Sequence, residues 1–268
     1  MARITVIMGI YNCESTLGEA LDSLLAQTYT DWNLVMCDDG SNDGTYTVAE
    51  RYRTAYPERI TLIRNEHNMG LNHTLNRCLA LANGKYIARQ DGDDLSFPTR
   101  FEKEVAVLDA HPEISIISTA MTYFDENGVW GQNHPVAFPQ GGDFIAGTPF
   151  CHAPCMVCRE AYATVNGYTE GKKYLRVEDY ELWIKMYAAG YRGQNLVEPL
   201  YAMRDDRKAY SRRKFKYRIN EFRVRWKAAR LLHLPIKAYI YSFRPILVGL
   251  LPKCVYKKMH QRLLRKHS

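Results

Sequence analysis

Nowhere in the 268 residues do eighteen apolar residues run together, so no conventional membrane-spanning helix is expected. The start, Met1-Ala2-Arg3-Ile4-Thr5-Val6, enters a strand pattern at once. It lacks the charged leader and apolar block of a secretory signal, so no signal peptide is expected. Without such a signal, the seven cysteines read as reduced cytosolic thiols rather than a disulfide framework. A glycine-rich phosphate loop is missing too. The turn after the first strand, Gly9-Ile10-Tyr11-Asn12-Cys13, has neither the glycines nor the basic side chain that such a loop needs. Acidic residues almost vanish near the end: residues 204–268 hold 20 Lys+Arg against 3 Asp+Glu, a net of +17.

The rest of the chain is the opposite. Residues 1–203 carry 16 basic and 26 acidic residues, a net of −10, so the formal total of +7 conceals an acidic body with a basic tail. Such a tail faces something anionic: a membrane surface, nucleic acid or a phosphate-bearing substrate. With 46% hydrophobic and 24% charged residues the composition is ordinary for a globular protein. One large domain or two small ones would fit, with a sizeable core.

Along the chain, strand and helix patterns alternate. Ile4 to Met8 and Trp32 to Cys37 read as strands, and Leu17, Ala20, Leu21, Leu24 and Leu25 recur at helical spacing between them. A helix from about Thr47 to Tyr56, a strand from Ile60 to Ile63, and a helix carrying Leu71, Leu75, Leu79 and Ala82 follow, then a strand at Tyr86 to Ala88. This alternation implies βαβ units and a mostly parallel sheet with helices on both faces. In such sheets ligands sit beyond the carboxyl ends of the strands. Two acidic loops fall there: Asp38-Asp39 and Asp91-Gly92-Asp93-Asp94. Three carboxylates within four residues repel one another unless a cation sits among them. Mg²⁺ or Mn²⁺, bound through one or two carboxylates together with substrate phosphates, meets that need. An acidic surface turn is the plain alternative, since Asp and Gly both favour turns.

Taken together, Val6-Ile7-Met8-Gly9-Ile10-Tyr11-Asn12, Cys37-Asp38-Asp39-Gly40-Ser41-Asn42-Asp43-Gly44-Thr45, Asn68-Met69-Gly70 and Ala88-Arg89-Gln90-Asp91-Gly92-Asp93-Asp94 resemble the family 2 glycosyltransferases over roughly residues 3–205. The resemblance implies an α/β GT-A fold, a nucleotide-diphosphate sugar donor and Mn²⁺ or Mg²⁺. It also implies roles. Asp39 contacts the base, and Ile10 with Tyr11 lines its pocket. Asp93 ligates the metal, with Asp91 and Asp94 beside it and Asp91 near the ribose. One departure stands out: many relatives have Arg-Asn where this chain has Leu75-Asn76, and Arg89 is the candidate to replace the missing guanidinium.

Downstream, Pro98 suits a helix first turn and Ile114 to Tyr123 reads as a strand. Residues 125–150 read as a loop that could form an acceptor wall. Cys151, His152, Cys155 and Cys158 have a cysteine spacing that invites an iron–sulfur or zinc reading. No second ligand pair follows, so small buried thiols are expected. His152 is either an acceptor or diphosphate contact or a packed histidine. Glu178 and Asp179 open a helix that stops at Gly190, where acids also favour the helix dipole. The resemblance implies that Asp179 is the catalytic base, with Glu178 beside it. Tyr180 and Trp183 offer flat faces on which an acceptor sugar could stack.

Arg204 and Arg212, with Arg207, Lys208 and Arg213, are candidate diphosphate clamps. A long basic helix over 212–230 with a Phe215, Ile219, Phe222 and Trp226 stripe follows, then a broken apolar run flanked by Lys and Arg. Tyr and Trp between apolar and basic groups suit a membrane interface; a hairpin packed on the body is the alternative. The organisation expected is a catalytic domain at 1–205 and a basic amphipathic tail at 206–268 attached to an anionic membrane surface. The expected activity is inverting sugar transfer, UDP-sugar donor favoured, to a hydroxyl of a lipid-linked saccharide of bacterial surface polysaccharide. The expected location is the inner face of the cell membrane. A sugar-phosphate nucleotidyltransferase would want the phosphate loop that is missing. A nucleic-acid-binding protein would want stacking platforms or a known motif that is absent, so no nucleic acid is expected.

Overall fold

The computed structural model describes residues 2–205 and 214–250. Arg207, Lys208, Arg212 and Arg213 lie outside the described residues, as does the Lys/Arg-rich end of the tail.

The first half forms as its pattern predicts. β1 (Ile4–Ile10), β2 (Trp32–Asp38), β3 (Ile60–Arg64) and β4 (Tyr86–Arg89) alternate with α1 (Leu17–Leu25), α2 (Thr45–Ala55) and α3 (Leu71–Leu81). β1 lies between β2 and β4 and is parallel to both, with Ile4 opposite Trp32 and Tyr86. Strand order therefore reverses at β1, and the loops leaving β1 and β4 open into one crevice.

The second half departs from a parallel plan. β5 (Leu95–Ser96), α4 (Arg100–Ala110), β6 (Ile116–Asp125), β7 (Gly128–Gln132), β8 (Met156–Cys158), α5 (Arg159–Thr164), α6 (Glu178–Ala188) and β9 (Gly193–Arg204) complete one nine-stranded sheet. Its path is β3-β2-β1-β4-β8-β6-β9-β5, with β7 off the edge of β6. Four ladders are parallel and four antiparallel. β6 is the strand expected at Ile114 to Tyr123, but β7 falls inside the stretch expected to be loop, because Asp125-Glu126-Asn127-Gly128 makes a tight turn with Gly128 at φ +104°. Pro98 sits just outside α4, one residue before the Thr99 cap.

Two apolar layers sandwich the sheet. One joins Ile7, Val35, Leu75 and Ile87 to Trp183, Met186, Val224 and Ala228. The other joins Val6, Met8 and Ile10 to Leu21, Leu24, Phe101 and Val105. Val224 and Ala228 belong to α7 (Phe215–Leu231), which α8 (Ile236–Tyr241) and α9 (Arg244–Gly249) follow. The boundary expected near 205 thus divides the sequence but not the core. The inward stripe of α7 is Asn220, Val224, Ala228 and neighbours, not the aromatic stripe. Phe222 and Trp226 instead hold Tyr239 and Phe243 of the two short helices, with ring centroids 4.8–6.0 Å apart. Among the described residues no helix is long and apolar enough to cross a membrane.

Candidate active site

At the end of β2, Asp38 and Asp39 are both buried and do different work. Asp38 pairs with Arg64 Nε at 2.8 Å and accepts the Ser41 hydroxyl, which fixes the loop. Asp39 accepts from Asn65 Nδ2 at 2.7 Å, Met69 N at 2.8 Å and Gly70 N at 2.9 Å. Those donors tie β2 to the N-terminus of α3. Gly40, at φ +69°, passes His67 so closely that a Cβ would lie 2.7 Å from its carbonyl carbon. Tyr11 is exposed beside this loop, whereas Ile10 is core. The Ile10 side chain sits below Gly92, 3.2 Å from where a Cβ would be, and supports the acidic turn from beneath instead of lining a pocket.

That turn is crowded. Burial and the charge of Asp91 raise the Asp93 carboxyl above its usual range. Asp94 is pushed up to about 8 by burial and by Asp91 and Asp93. Arg204 reaches in from β9: its backbone N–H donates to Asp94 Oδ1 at 2.8 Å and its Nε to the Asp93 carbonyl at 3.1 Å. The Asp91 N–H donates to the Tyr201 hydroxyl at 3.2 Å. Below, Arg100 donates to the Arg89 carbonyl at 3.0 Å, and Gln90 Nε2 to the Asp94 carbonyl at 2.8 Å.

Among the described residues, no three His, Cys, Asp or Glu side chains form a ready-made metal cage. Mg²⁺ and Mn²⁺ do not require one, since water and substrate phosphates fill most of their coordination. Carboxylates that raise one another's proton affinity mark an excess of negative charge that a hard dication relieves. Asp93, with Asp91 and Asp94, therefore fits such an ion.

Arg89 joins this turn to the far side of the crevice. Its guanidinium, 2% exposed, pairs through Nε with Asp91 Oδ1 at 3.0 Å and through Nη1 with Asp179 Oδ1 at 2.7 Å. Asp179 Oδ2 lies 3.0 Å from His152 Nδ1, and His152 Nε2 lies 4.0 Å from Asp91 Oδ2. Asp91, Arg89, Asp179 and His152 thus close a ring. Despite burial, His152 and Arg89 lower the Asp179 carboxyl to about 2. Glu178 shifts the other way, raised by burial and by the Asp179 charge. The two adjacent acids at the helix start are thus shifted in opposite directions. Arg89 is accordingly no free stand-in for the guanidinium absent at Leu75; both of its ends are spoken for.

Two expected acceptor contacts are not at the surface. Trp183 is fully buried against Phe150, with centroids 5.8 Å apart. Tyr180 is buried and donates its hydroxyl to the Phe144 carbonyl. α6 is buried nearly all round; both rings lie in the core, and Asp179, in the first turn, reaches Arg89 and His152. The thiols are packing groups: Cys155 Sγ donates to the Cys151 carbonyl at 3.0 Å, and burial raises the Cys151 and Cys155 thiols. The sequence does not single out Asn65, Tyr201 and Arg100 as site residues, and it offers Arg89 only as a stand-in for the missing guanidinium, not as a clamp between carboxylates. A charged residue ending an apolar strand beside an acid cluster was the available signal for Arg89, since buried arginine is almost always paired.

The family model described as glycosyl transferase family 2 matches residues 5–164. EpsE of Bacillus subtilis, which carries a glycosyltransferase name, is 45% identical over 260 residues, 97% of this chain and 94% of that protein. An Escherichia coli protein, the UDP-Glc:alpha-D-GlcNAc-diphosphoundecaprenol beta-1,3-glucosyltransferase WfaP, is 28% identical over 95% of this chain and 96% of its own. Among solved structures, Staphylococcus aureus TarS 1–349 in complex with UDP superposes with a TM-score of 0.68 at 18% identity, covering 92% of this chain and 70% of that one. The sheet built around β1 is the GT-A fold. Acidic loops gathered at its switch point, and a family match spanning more than half of the chain, make this protein a member of the family 2 glycosyltransferases.

Proposed function

We propose that the protein is a metal-dependent inverting glycosyltransferase. It moves a sugar from a UDP-sugar to a hydroxyl of a lipid-linked saccharide during bacterial surface-polysaccharide synthesis, working at the inner face of the cell membrane. The observation that carries this reading is the closed ring, which sets the α6 carboxylate of Asp179 across the crevice from the acidic turn. Support for the donor comes from the UDP in the TarS complex and the UDP-Glc in the name of WfaP. Support for the acceptor comes from the diphosphoundecaprenol in that same name.

In this reading Asp39 and Tyr11 hold the base, Asp91 the ribose, and Asp93 the metal, which supplies positive charge to the leaving diphosphate. Arg204 adds a guanidinium beside it. Asp179 takes the acceptor proton as the new C–O bond forms and the bond to phosphate breaks, and the nucleoside diphosphate departs. A carboxylate held near 2 is a poor base while doubly paired. His152 is the partner that can give way, because its side chain is 34% exposed and that of Arg89 is 2%. When an acceptor hydroxyl displaces the imidazole, Asp179 regains proton affinity at the moment it is needed. Glu178 supports the helix start.

Calorimetry with Mn²⁺ across UDP-, GDP- and dTDP-sugars tests the reading. Binding confined to UDP-sugars, and an inverted anomeric centre in the NMR spectrum of the product, are expected. No heat with any nucleotide sugar, or retention of configuration, would overturn it.

A further inference from the structure

The two short helices after α7 carry an outward face that nothing among the described residues covers. Ala238, Ser242 and Pro245 are buried against the body. Residues two positions away on a helix point about 200° around it, given 3.6 residues per turn. Ile240 and Leu247 accordingly point out, at 69% and 63% exposure, flanked by Ile236 at 73% and Leu250 at 69%. Tyr241 and Phe243 are partly exposed on the same two helices. An apolar cluster this dense is not ordinary surface, and single scattered hydrophobics are.

The charge along this stretch of chain has one sign, and Glu221 just before it, on α7, is taken up by Arg218 and Arg225. From Phe222 to the end of the chain there are twelve Lys+Arg and no Asp or Glu. Lys237 and Arg244 are exposed within the two helices, and the Arg244 guanidinium lies 5.5 Å from the Tyr241 ring centre. An apolar face whose own two helices carry cations and no acid complements a surface that is apolar inside and anionic outside. The helices are six residues each, too short to span a bilayer. The aromatic contacts to Phe222 and Trp226 make them a rigid projection of the body rather than a loose tail.

We propose that α8 and α9 form an interfacial wedge. Ile236, Ile240, Leu247 and Leu250 seat at the headgroup–acyl boundary of an anionic bilayer, and Lys237 and Arg244 meet lipid phosphates. This deepens the lipid-linked acceptor reading by naming the face that meets the membrane. It also narrows the attachment expected for all of 206–268 to two helices.

The test is co-sedimentation of the full-length protein with vesicles of phosphatidylcholine alone or mixed with phosphatidylglycerol, without donor or acceptor. Binding only to the anionic vesicles, weakened by salt, is expected. Ile240→Glu with Leu247→Glu should weaken it about tenfold or more, with circular dichroism and melting temperature unchanged because both side chains are exposed. Lys237→Ala with Arg244→Ala should weaken it about tenfold and reduce the salt dependence. Vesicle binding undiminished in the Ile240→Glu, Leu247→Glu protein would overturn the wedge and leave the basic tail as the anchor. Failure of the wild type to bind anionic vesicles would overturn it as well. So would a dimer that this double substitution dissociates, since a second copy would then cover the face. The donor calorimetry above reads the catalytic proposal separately, so failure of one leaves the other intact.

Discussion

Asp179 carries the most at the scale of a single side chain. Asp179→Asn keeps the size but cannot accept the acceptor proton. Turnover should fall roughly 10²–10⁴-fold while donor affinity, read by calorimetry, barely moves. Glu178→Gln should lose far less; equal losses in the two variants would shift the base assignment. The same residue predicts a stability effect. Its carboxyl is held at about 2, below the 3.8 of a free aspartate. The native state therefore favours the ionised form, and this contribution is full above about pH 4 and lost as pH falls through about 2. The difference is worth about 2 kcal/mol by linkage. Urea unfolding of wild type and Asp179→Asn should thus show a gap at pH 7 that closes toward pH 2. At the acidic turn, Asp93→Asn removes one ligand charge with little change of shape. Donor binding should become insensitive to Mn²⁺ and turnover should disappear with the fold intact. Full activity in that variant, or in EDTA, would reject the metal role.

At the scale of elements, the site depends on how strand ends are tied together. Arg89 leaves β4 and clamps the acidic turn to α6 from a position almost sealed from water. Arg89→Met would leave two carboxylates, Asp91 and Asp179, without their shared cation. Removing one partner of a buried pair costs about 3–5 kcal/mol, so a large drop in melting temperature is expected. Arg89→Lys should recover little of it, because one ammonium cannot bridge two carboxylates as a planar guanidinium does. The β2 loop has a steric analogue. Gly40→Ala forces a Cβ to 2.7 Å from the His67 backbone at a positive φ. The loop must shift, carrying Asp39 away from Met69 and Gly70. Weaker donor binding should accompany a modest loss of stability, measured by calorimetry and thermal melting.

For the whole molecule, α7 decides what counts as the domain. Val224 and Ala228 share a core layer with Trp183 and Met186. Lys227 pairs with the fully buried Glu181, and Arg225 donates to the Ile145 and Ala146 carbonyls at 2.7 and 2.8 Å. A chain ended at residue 205 would expose that layer and leave buried Glu181 with only the longer 3.6 Å pairing to Lys185. It should fail to unfold cooperatively in urea, whereas the full chain should show one sharp transition.

The sequence by itself determined the first half of the fold and the position of the acidic loops. Those features are local: period-two and period-3.6 patterns set the elements, and right-handed βαβ connections leave one way to place Asp39 and Asp91 at the same edge. In the second half it placed β6 and α6 but could not determine how the sheet is completed. β8 is three residues long and β5 two, and such strands exist only because neighbours already offer an edge to pair with. Nor could it tell that Tyr180 and Trp183 are core rings rather than acceptor contacts, because their burial is set by Phe144 and Phe150, more than thirty positions away in the chain. The ring of Asp91, Arg89, Asp179 and His152 joins residues up to 90 positions apart. Its members look ordinary one at a time. Only the tertiary structure, by burying a guanidinium that must find carboxylates, assembles them into a site.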